Sequence, residues 1–91
     1  MPVKLDLALL LDKSVSMEQV EATVRDSERR LLKDVSLFDV YEGKNLPEGK
    51  KSYAIAITLQ DDEKTLQDKQ IEAVMNKVIT NLTKKLGAEL R

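Results

Sequence analysis

Histidine, cysteine and tryptophan are all absent from this sequence, and its only aromatic residues are Phe38, Tyr41 and Tyr53. Without histidine and cysteine there is no side chain that titrates near neutral pH, no thiolate nucleophile, no disulfide and none of the best transition-metal ligands. Carboxylates, lysines and hydroxyls remain. Gly43, Gly49 and Gly87 are isolated, so no glycine-rich phosphate loop follows a strand. No carboxylate stands at a spacing from Asp39 that would divide general acid from general base. These absences predict a non-catalytic chain.

An excess of one charge is also missing, since 15 Lys and Arg oppose 16 Asp and Glu for a net charge of -1. Affinity for nucleic acid scales with the number of phosphates neutralised, so any RNA role has to be local or has to draw on a larger assembly. The longest apolar run, Leu7 to Leu11, is far below the ~20 residues of a membrane span, and no signal-peptide pattern opens the sequence. A cytoplasmic protein with no membrane partner is expected. The 91 residues suit one domain over 1–91, enough for one modest core but not for a deep cofactor cavity as well.

What is present centres on Leu37 to Leu59, which reads as strand, loop and strand. Phe38, Val40, Tyr41, Tyr53, Ile55 and Ile57 are β-branched or aromatic, and Gly43, Asn45, Pro47 and Gly49 fall between the two runs. Alternation puts Tyr53, Ile55, Ile57 and Leu59 on one face and Ser52, Ala54, Ala56 and Thr58 on the other. The first face needs a core, whereas the second is small and polar enough to serve as a platform for a flat ligand. In the first strand of this pair, Phe38 and Val40 are expected inward and Leu37, Asp39 and Tyr41 on the open face. The opposite register would bury Asp39 without a partner, at a cost of several kcal/mol.

Before this stretch, Lys4 to Asp12 alternates as a central strand with Leu5, Leu7, Leu9 and Leu11 on one side. Ser16 and Gln19 form a capping box flanked by the Val15 and Val20 staple, which starts a helix whose stripe is Met17, Val20, Val24 and Leu31. After it, Asp61-Asp62-Glu63-Lys64 reads as a solvated turn, because three adjacent carboxylates lack the spacing of a calcium loop. Asp68 is expected to cap a long helix carrying Ile71, Val74, Met75, Val78, Leu82 and Leu86 on one face. Lys84 and Lys85 complement its C-terminal dipole, Gly87 stops it, and residues 88–91 form a last strand. The order predicts an α+β, ferredoxin-like βαββαβ sandwich, a four-stranded antiparallel sheet with two helices on one face.

This fold hosts RNA-binding, small-molecule-binding regulatory and protein-docking modules alike. A standard RNA-recognition motif is excluded, because Tyr53-Ala54-Ile55-Ala56-Ile57 replaces its aromatic third strand. A docking module would need an exposed apolar patch, and Glu72, Asn76, Asn81 and Thr83 along the second helix supply none; a monomer is expected.

Several separated segments choose among these classes. Leu37-Phe38-Asp39-Val40-Tyr41-Glu42-Gly43, Leu46-Pro47-Glu48-Gly49-Lys50-Lys51-Ser52, Thr65-Leu66-Gln67-Asp68 and Leu86-Gly87-Ala88-Glu89-Leu90-Arg91, with Asp6-Leu7-Ala8 on the first strand, closely resemble the C-terminal anticodon-binding domain of the bacterial phenylalanyl-tRNA synthetase beta subunit. The resemblance covers nearly the whole chain. It departs at Leu5, where the family usually has a basic residue, and at Gln60, where an Arg is common.

The resemblance implies a domain of a longer chain that grips the anticodon stem-loop of tRNA-Phe. The partners implied are the remainder of the beta subunit and the alpha subunit of an alpha2-beta2 class II enzyme. No cofactor is expected in this domain, since ATP and Mg would be handled elsewhere. The family's anticodon pocket falls on Ala8, Asp39, Tyr41 and Ser52, with Tyr41 stacking a base, Asp39 accepting from the N–H donors of guanine, Ser52 hydrogen bonding and Ala8 leaving room. Lys4, Lys50 and Lys51 are expected to meet phosphates. The purified chain is accordingly predicted to give no phenylalanine-dependent pyrophosphate exchange; detectable exchange would contradict the non-catalytic reading.

Overall fold

The leucines at every second position from Leu5 to Leu11 demand a sheet face covered by apolar partners. In a computed structural model, which describes residues 1–91, they lie in β1 (Val3–Asp12). α1 (Met17–Ser27), β2 (Leu32–Tyr41), β3 (Lys50–Leu59), α2 (Asp68–Leu86) and β4 (Glu89–Leu90) follow. The strands form one antiparallel sheet in the order β2-β3-β1-β4, with β1 central as its leucine content requires. Both helices cover the leucine and isoleucine face, which is the ferredoxin-like arrangement expected. No helix is long and apolar enough to cross a membrane.

Leu9 and Leu11 of β1, Ile55, Ile57 and Leu59 of β3, Val20 and Val24 of α1, and Val78 and Leu82 of α2 are fully enclosed. Tyr53, Leu66 and Ala88 extend this single core to its ends. Burying a Leu or Ile side chain of this kind contributes about 1.5–3 kcal/mol.

The helix ends follow their local chemistry. The Gln19 backbone N–H donates to Ser16 Oγ at 3.2 Å and the Ser16 N–H to Gln19 Oε1 at 2.9 Å, with Val15 and Val20 buried beside the box. α2 corrects the sequence reading by one residue: Gln67 is the N-cap, its N–H donating to Gln70 Oε1 at 3.0 Å, and Asp68 is the first helical residue, where its charge favours the dipole. Gly87 adopts φ 66° and ψ 22°, the left-handed stop that a side chain would disfavour, and its N–H donates to the Thr83 carbonyl at 3.0 Å.

α1 ends earlier than its apolar stripe suggests, because Thr23 and Ser27 turn their hydroxyls back onto the Gln19 and Thr23 carbonyls at 2.9 and 2.7 Å. Ser27 Oγ then accepts from Asn81 Nδ2 of α2 at 2.8 Å, so a polar bond joins the two helices inside an otherwise apolar contact. Leu31 is buried, but in the connection to β2 and not on the helix. Glu28 makes that connection: its carboxylate accepts from the backbone N–H groups of Leu31 and Arg30 at 3.0 and 3.2 Å and from Lys77 Nζ at 3.1 Å. The acidic turn is not wholly solvated, since Asp61 is buried and accepts from the Glu63 N–H at 2.9 Å, the main reason its carboxyl titrates below the usual range.

Burial pushes the Glu28 carboxyl up, but the Leu31 N–H, Lys77 and the Arg30 N–H outweigh it and hold its pKa below 4.5. A lowered folded-state pKa means that the carboxylate stabilises the fold fully above the unfolded value and that this contribution fades as pH falls through the folded one. Glu28→Ala is expected to lose about 1–3 kcal/mol at neutral pH, the cost of leaving its donors unpaired. Denaturant titrations of wild type and variant should converge below pH 4.5; a constant difference down to acid pH would contradict the assignment.

Candidate nucleic-acid interface

Strand alternation leaves the second sheet face to Lys4, Asp6, Ala8, Leu10 and Asp12 of β1 and to Lys50, Ser52, Ala54, Ala56 and Thr58 of β3. The register aligns these residues in transverse rows, pairing Ala8 with Ala54, Asp6 with Ala56 and Leu10 with Ser52. No helix covers this face. Its floor is low at Ala8, Ala54 and Ala56, where only methyl groups rise from the two central strands.

The edge strand β2 supplies the taller side chains. A bulge between Leu37 and Asp39 sets Phe38 and Asp39 against Ala54, after which Val40 pairs with Tyr53 and Tyr41 with Ser52. Asp39 and Tyr41 therefore rise from the open face, as expected. The reason differs from the alternation argument, which placed Phe38 and Val40 inward and Leu37 outward. Leu37 instead packs on the core opposite Ile55, Phe38 is 58% exposed, and Val40, on the helix side, is 49% exposed because β2 overruns the helices there. A one-residue insertion flips every later side chain, which a strict period of two cannot anticipate.

At the opposite edge the Arg91 N–H donates to the Ala8 carbonyl at 2.9 Å, extending the β4 pairing by one residue. One row across the sheet thus reads Asp39, Ala54, Ala8, Arg91, and the next reads Tyr41, Ser52, Leu10, Glu89. The Arg91 guanidinium lies over the Tyr41 ring, 5.5 Å from its centroid, so the two long side chains meet above the small floor. Tyr41 also rests on Gly43: a Cβ there would come within 2.8 Å of its hydroxyl and 3.0 Å of Cζ. Ala8, Asp39, Tyr41 and Ser52 are thereby brought to one patch, in which Asp39 and Tyr41 are exposed, Ala8 is half-buried and Ser52 is buried beneath its neighbours. Arg91 and Gly43, which complete it, were not singled out by spacing or composition; the register of the last strand against Ala8 is the signal that finds Arg91.

The lysines separate. Lys4 is exposed and has no carboxylate partner within 4.0 Å, since the cations in the seven ion pairs are Lys13, Arg25, Arg29, Arg30, Lys33, Lys50 and Lys77. Lys50 is on the open face but bonds Asp12 at 2.9 Å, and this bond raises its pKa. Lys51 corrects the expectation of a phosphate contact. It pairs with Leu11 and so points to the helix side, where it is buried and its ammonium donates to the carbonyls of Lys13 at 3.1 Å and Val15, and to the Tyr53 hydroxyl at 3.0 Å. All three of its donors are occupied, two of them in pinning the β1–α1 turn to β3.

The largest hollow, about 340 Å³, is lined by Arg30, Lys33, Gln60, Asp61, Asp62 and Glu63 and has no hydrophobic wall. Its charges pair among themselves, Arg30 with Asp61 at 3.4 Å and Lys33 with Asp62 at 3.3 Å.

The two neighbouring lysines should consequently separate in thermal melts. Lys51→Ala, which strands the buried Val15 carbonyl and the partly buried Lys13 carbonyl, is expected to destabilise the domain by about 1–3 kcal/mol, whereas Lys50→Ala should melt close to wild type. Equal melting of the two variants would contradict the structural role of Lys51.

Comparison with known proteins gives the family. Residues 2–91 match the family described as the ferredoxin-fold anticodon binding domain. The chain is 64% identical over 89 residues to the phenylalanine–tRNA ligase beta subunit of Porphyromonas gingivalis, covering 98% of this chain and 11% of that protein. The corresponding subunit of Bacteroides fragilis is 58% identical over 89 residues, with the same coverage, and that of Bradyrhizobium diazoefficiens is 46% identical over 90 residues, covering 99% of this chain and 11% of the relative. The chain therefore spans about a tenth of the length of these relatives. With a family match from residue 2 to residue 91, on a sheet whose open face is built as described, the chain belongs to the ferredoxin-fold anticodon-binding domains.

Proposed function

We propose that this domain is the non-catalytic anticodon reader of a phenylalanine–tRNA ligase beta subunit and binds the anticodon stem-loop of tRNA-Phe on its open sheet face. The observation that carries this reading is the convergence of Asp39, Tyr41, Ser52 and Ala8 on one sheet face that no helix covers, with Asp39 and Tyr41 exposed and Ser52 buried at their foot, in a chain 64% identical to such a subunit. Tyr41 offers a ring on which an unpaired base stacks, an interaction of about 1–3 kcal/mol. Asp39, acceptor-only when ionised, pairs with the ring N–H and amino group of a guanine in the first anticodon position. The Ser52 hydroxyl supplies a further bond, and the Ala8–Ala54 floor keeps the ring clear of the sheet.

Phosphate contacts fall to Lys4 and to Lys50, which exchanges Asp12 for RNA. Two cations give a weak complex on their own, and the rest of the beta subunit, together with the alpha subunit in an alpha2-beta2 enzyme, supplies the remaining affinity by raising the effective concentration of the stem-loop. ATP and Mg are handled outside this domain, and the enzyme works in the cytoplasm. The competing small-molecule regulator would need an enclosed pocket with hydrophobic walls, and no hydrophobic residue lines the largest hollow.

Binding of anticodon stem-loops with guanine or adenine in the first position tests the reading. Tyr41→Ala should weaken both by roughly 1–3 kcal/mol, and Asp39→Asn should narrow the preference for guanine. Lys4→Ala should lower the salt slope by about 0.7–0.9. If Asp39→Asn kept full discrimination and Tyr41→Ala bound like wild type, the pocket would lie elsewhere.

A further inference from the structure

We propose that Arg91 is an RNA-contacting residue of this interface that, in the free domain, holds the place of the base on Tyr41. The inference rests on the anticodon-binding reading and extends it to a residue at the other edge of the sheet.

Three observations carry it. First, the Arg91 backbone is fixed beside Ala8 by the 2.9 Å bond from its N–H, so the side chain starts from a defined point on the open face and crosses two strands to reach Tyr41. Second, its guanidinium has no carboxylate within ion-pair distance although Asp6, Asp12, Asp39 and Glu89 share the face. Its five N–H donors face a π surface and solvent, and a planar fork of that kind matches a phosphate. Third, the guanidinium carbon is 5.5 Å from the ring centroid. A base inserted between two planes needs about twice the ~3.5 Å contact distance of carbon atoms, or ~7 Å. A base therefore cannot stack on this side of Tyr41 until Arg91 moves.

The balance favours the exchange. An exposed cation–π contact changes an equilibrium by about 2- to 5-fold, whereas base stacking on an aromatic residue is worth about 5- to 150-fold. The displaced guanidinium stays tethered at Ala8, beside the incoming strand, and gains a charge-assisted bond to a phosphate in place of the ring. Gly43 holds the other side of the arrangement. Because the phenol rests where a Cβ would be, the ring is kept in position on both sides in the absence of RNA.

Stem-loop binding to the 91-residue chain, over a series of salt concentrations and against a hairpin with a scrambled loop, tests the proposal. Arg91→Ala is expected to weaken binding about 5- to 10-fold and to lower the salt slope by about 0.7–0.9. Arg91→Lys should restore the slope, because it keeps the charge, while leaving part of the affinity lost with the planar fork. In the Tyr41→Ala background, Arg91→Ala should cost affinity again; no further loss there would reduce Arg91 to a support for the ring and overturn the proposal. Without RNA, the Arg91 Nε–H and δ-methylene NMR resonances should carry a ring-current shift that Tyr41→Leu abolishes. Stem-loop should remove the same shift from wild type, and its persistence at saturation would mean that Arg91 never leaves the ring.

If guanine- and adenine-bearing loops lose affinity equally in Arg91→Ala, the acceptor is a phosphate. A narrowed preference for guanine assigns the contact to the base edge and overturns the phosphate assignment. Wild-type or tighter binding by Arg91→Ala, with Tyr41→Ala still impaired, refutes the proposal while the anticodon reading stands. Failure of wild type to prefer the stem-loop over the scrambled hairpin removes both.

Discussion

The antiparallel pairing of β1 with β3 is the constraint on which the rest of the structure depends. It runs unbroken from Val3 opposite Leu59 to Asp12 opposite Lys50 and forms the centre of the sheet. Because side chains alternate, a slip of one residue would carry either Leu9 and Leu11 of β1 or Ile55, Ile57 and Leu59 of β3 from the core to solvent, at about 1.5–3 kcal/mol each. The register is therefore held by the leucine and isoleucine face, and the alanines, serine and threonine on the other face are aligned as a consequence. The floor of the interface owes its order to the core behind it.

The strand β3 serves both faces at once, and Lys51 beside Lys50 makes the point most clearly. One lysine lies under the helices with its ammonium bonded to the turn that starts α1, and the next lies over the open face against Asp12. Adjacent identical residues thus do different work, Lys51 in holding the turn and Lys50 in pairing with Asp12 on the open face. The cation over Tyr53, with Nζ 4.5 Å from the ring centroid, closes the end of the core where the apolar residues run out.

At the edges the sheet departs from regularity, and there the interface acquires its tall side chains. The bulge at Phe38 turns Asp39 and Tyr41 to the open face, and the short β4 pairing delivers Arg91 beside Ala8. A rigid, flat centre with reactive edges suits recognition of a planar ligand: the floor presents nothing that clashes, while an acceptor, a ring and a guanidinium approach from the sides.

The sequence by itself determined the element order, the fold class, the two faces of β1 and β3, the Ser16 cap and the Gly87 stop, because these depend on periods of 2 and 3.6 residues and on local hydrogen bonds. It also carried the anticodon-domain resemblance, since the segments around Asp39, Gly49 and Gly87 are separated along the chain and keep their order. Only the tertiary structure decided that β3 extends back through Lys51 and Lys50, opposite Leu11 and Asp12 some forty residues away, so that the alternation of the strand carries Lys51 to the helix side and Lys50 to the open face. It likewise decided that Phe38 is extruded, since a bulge inserts a residue without any change in composition, and that Gln67 rather than Asp68 caps α2. The meeting of Arg91 with Tyr41 belongs wholly to the fold: the two are fifty residues apart, on strands at opposite edges of the sheet, and only the sheet order and register bring their side chains together.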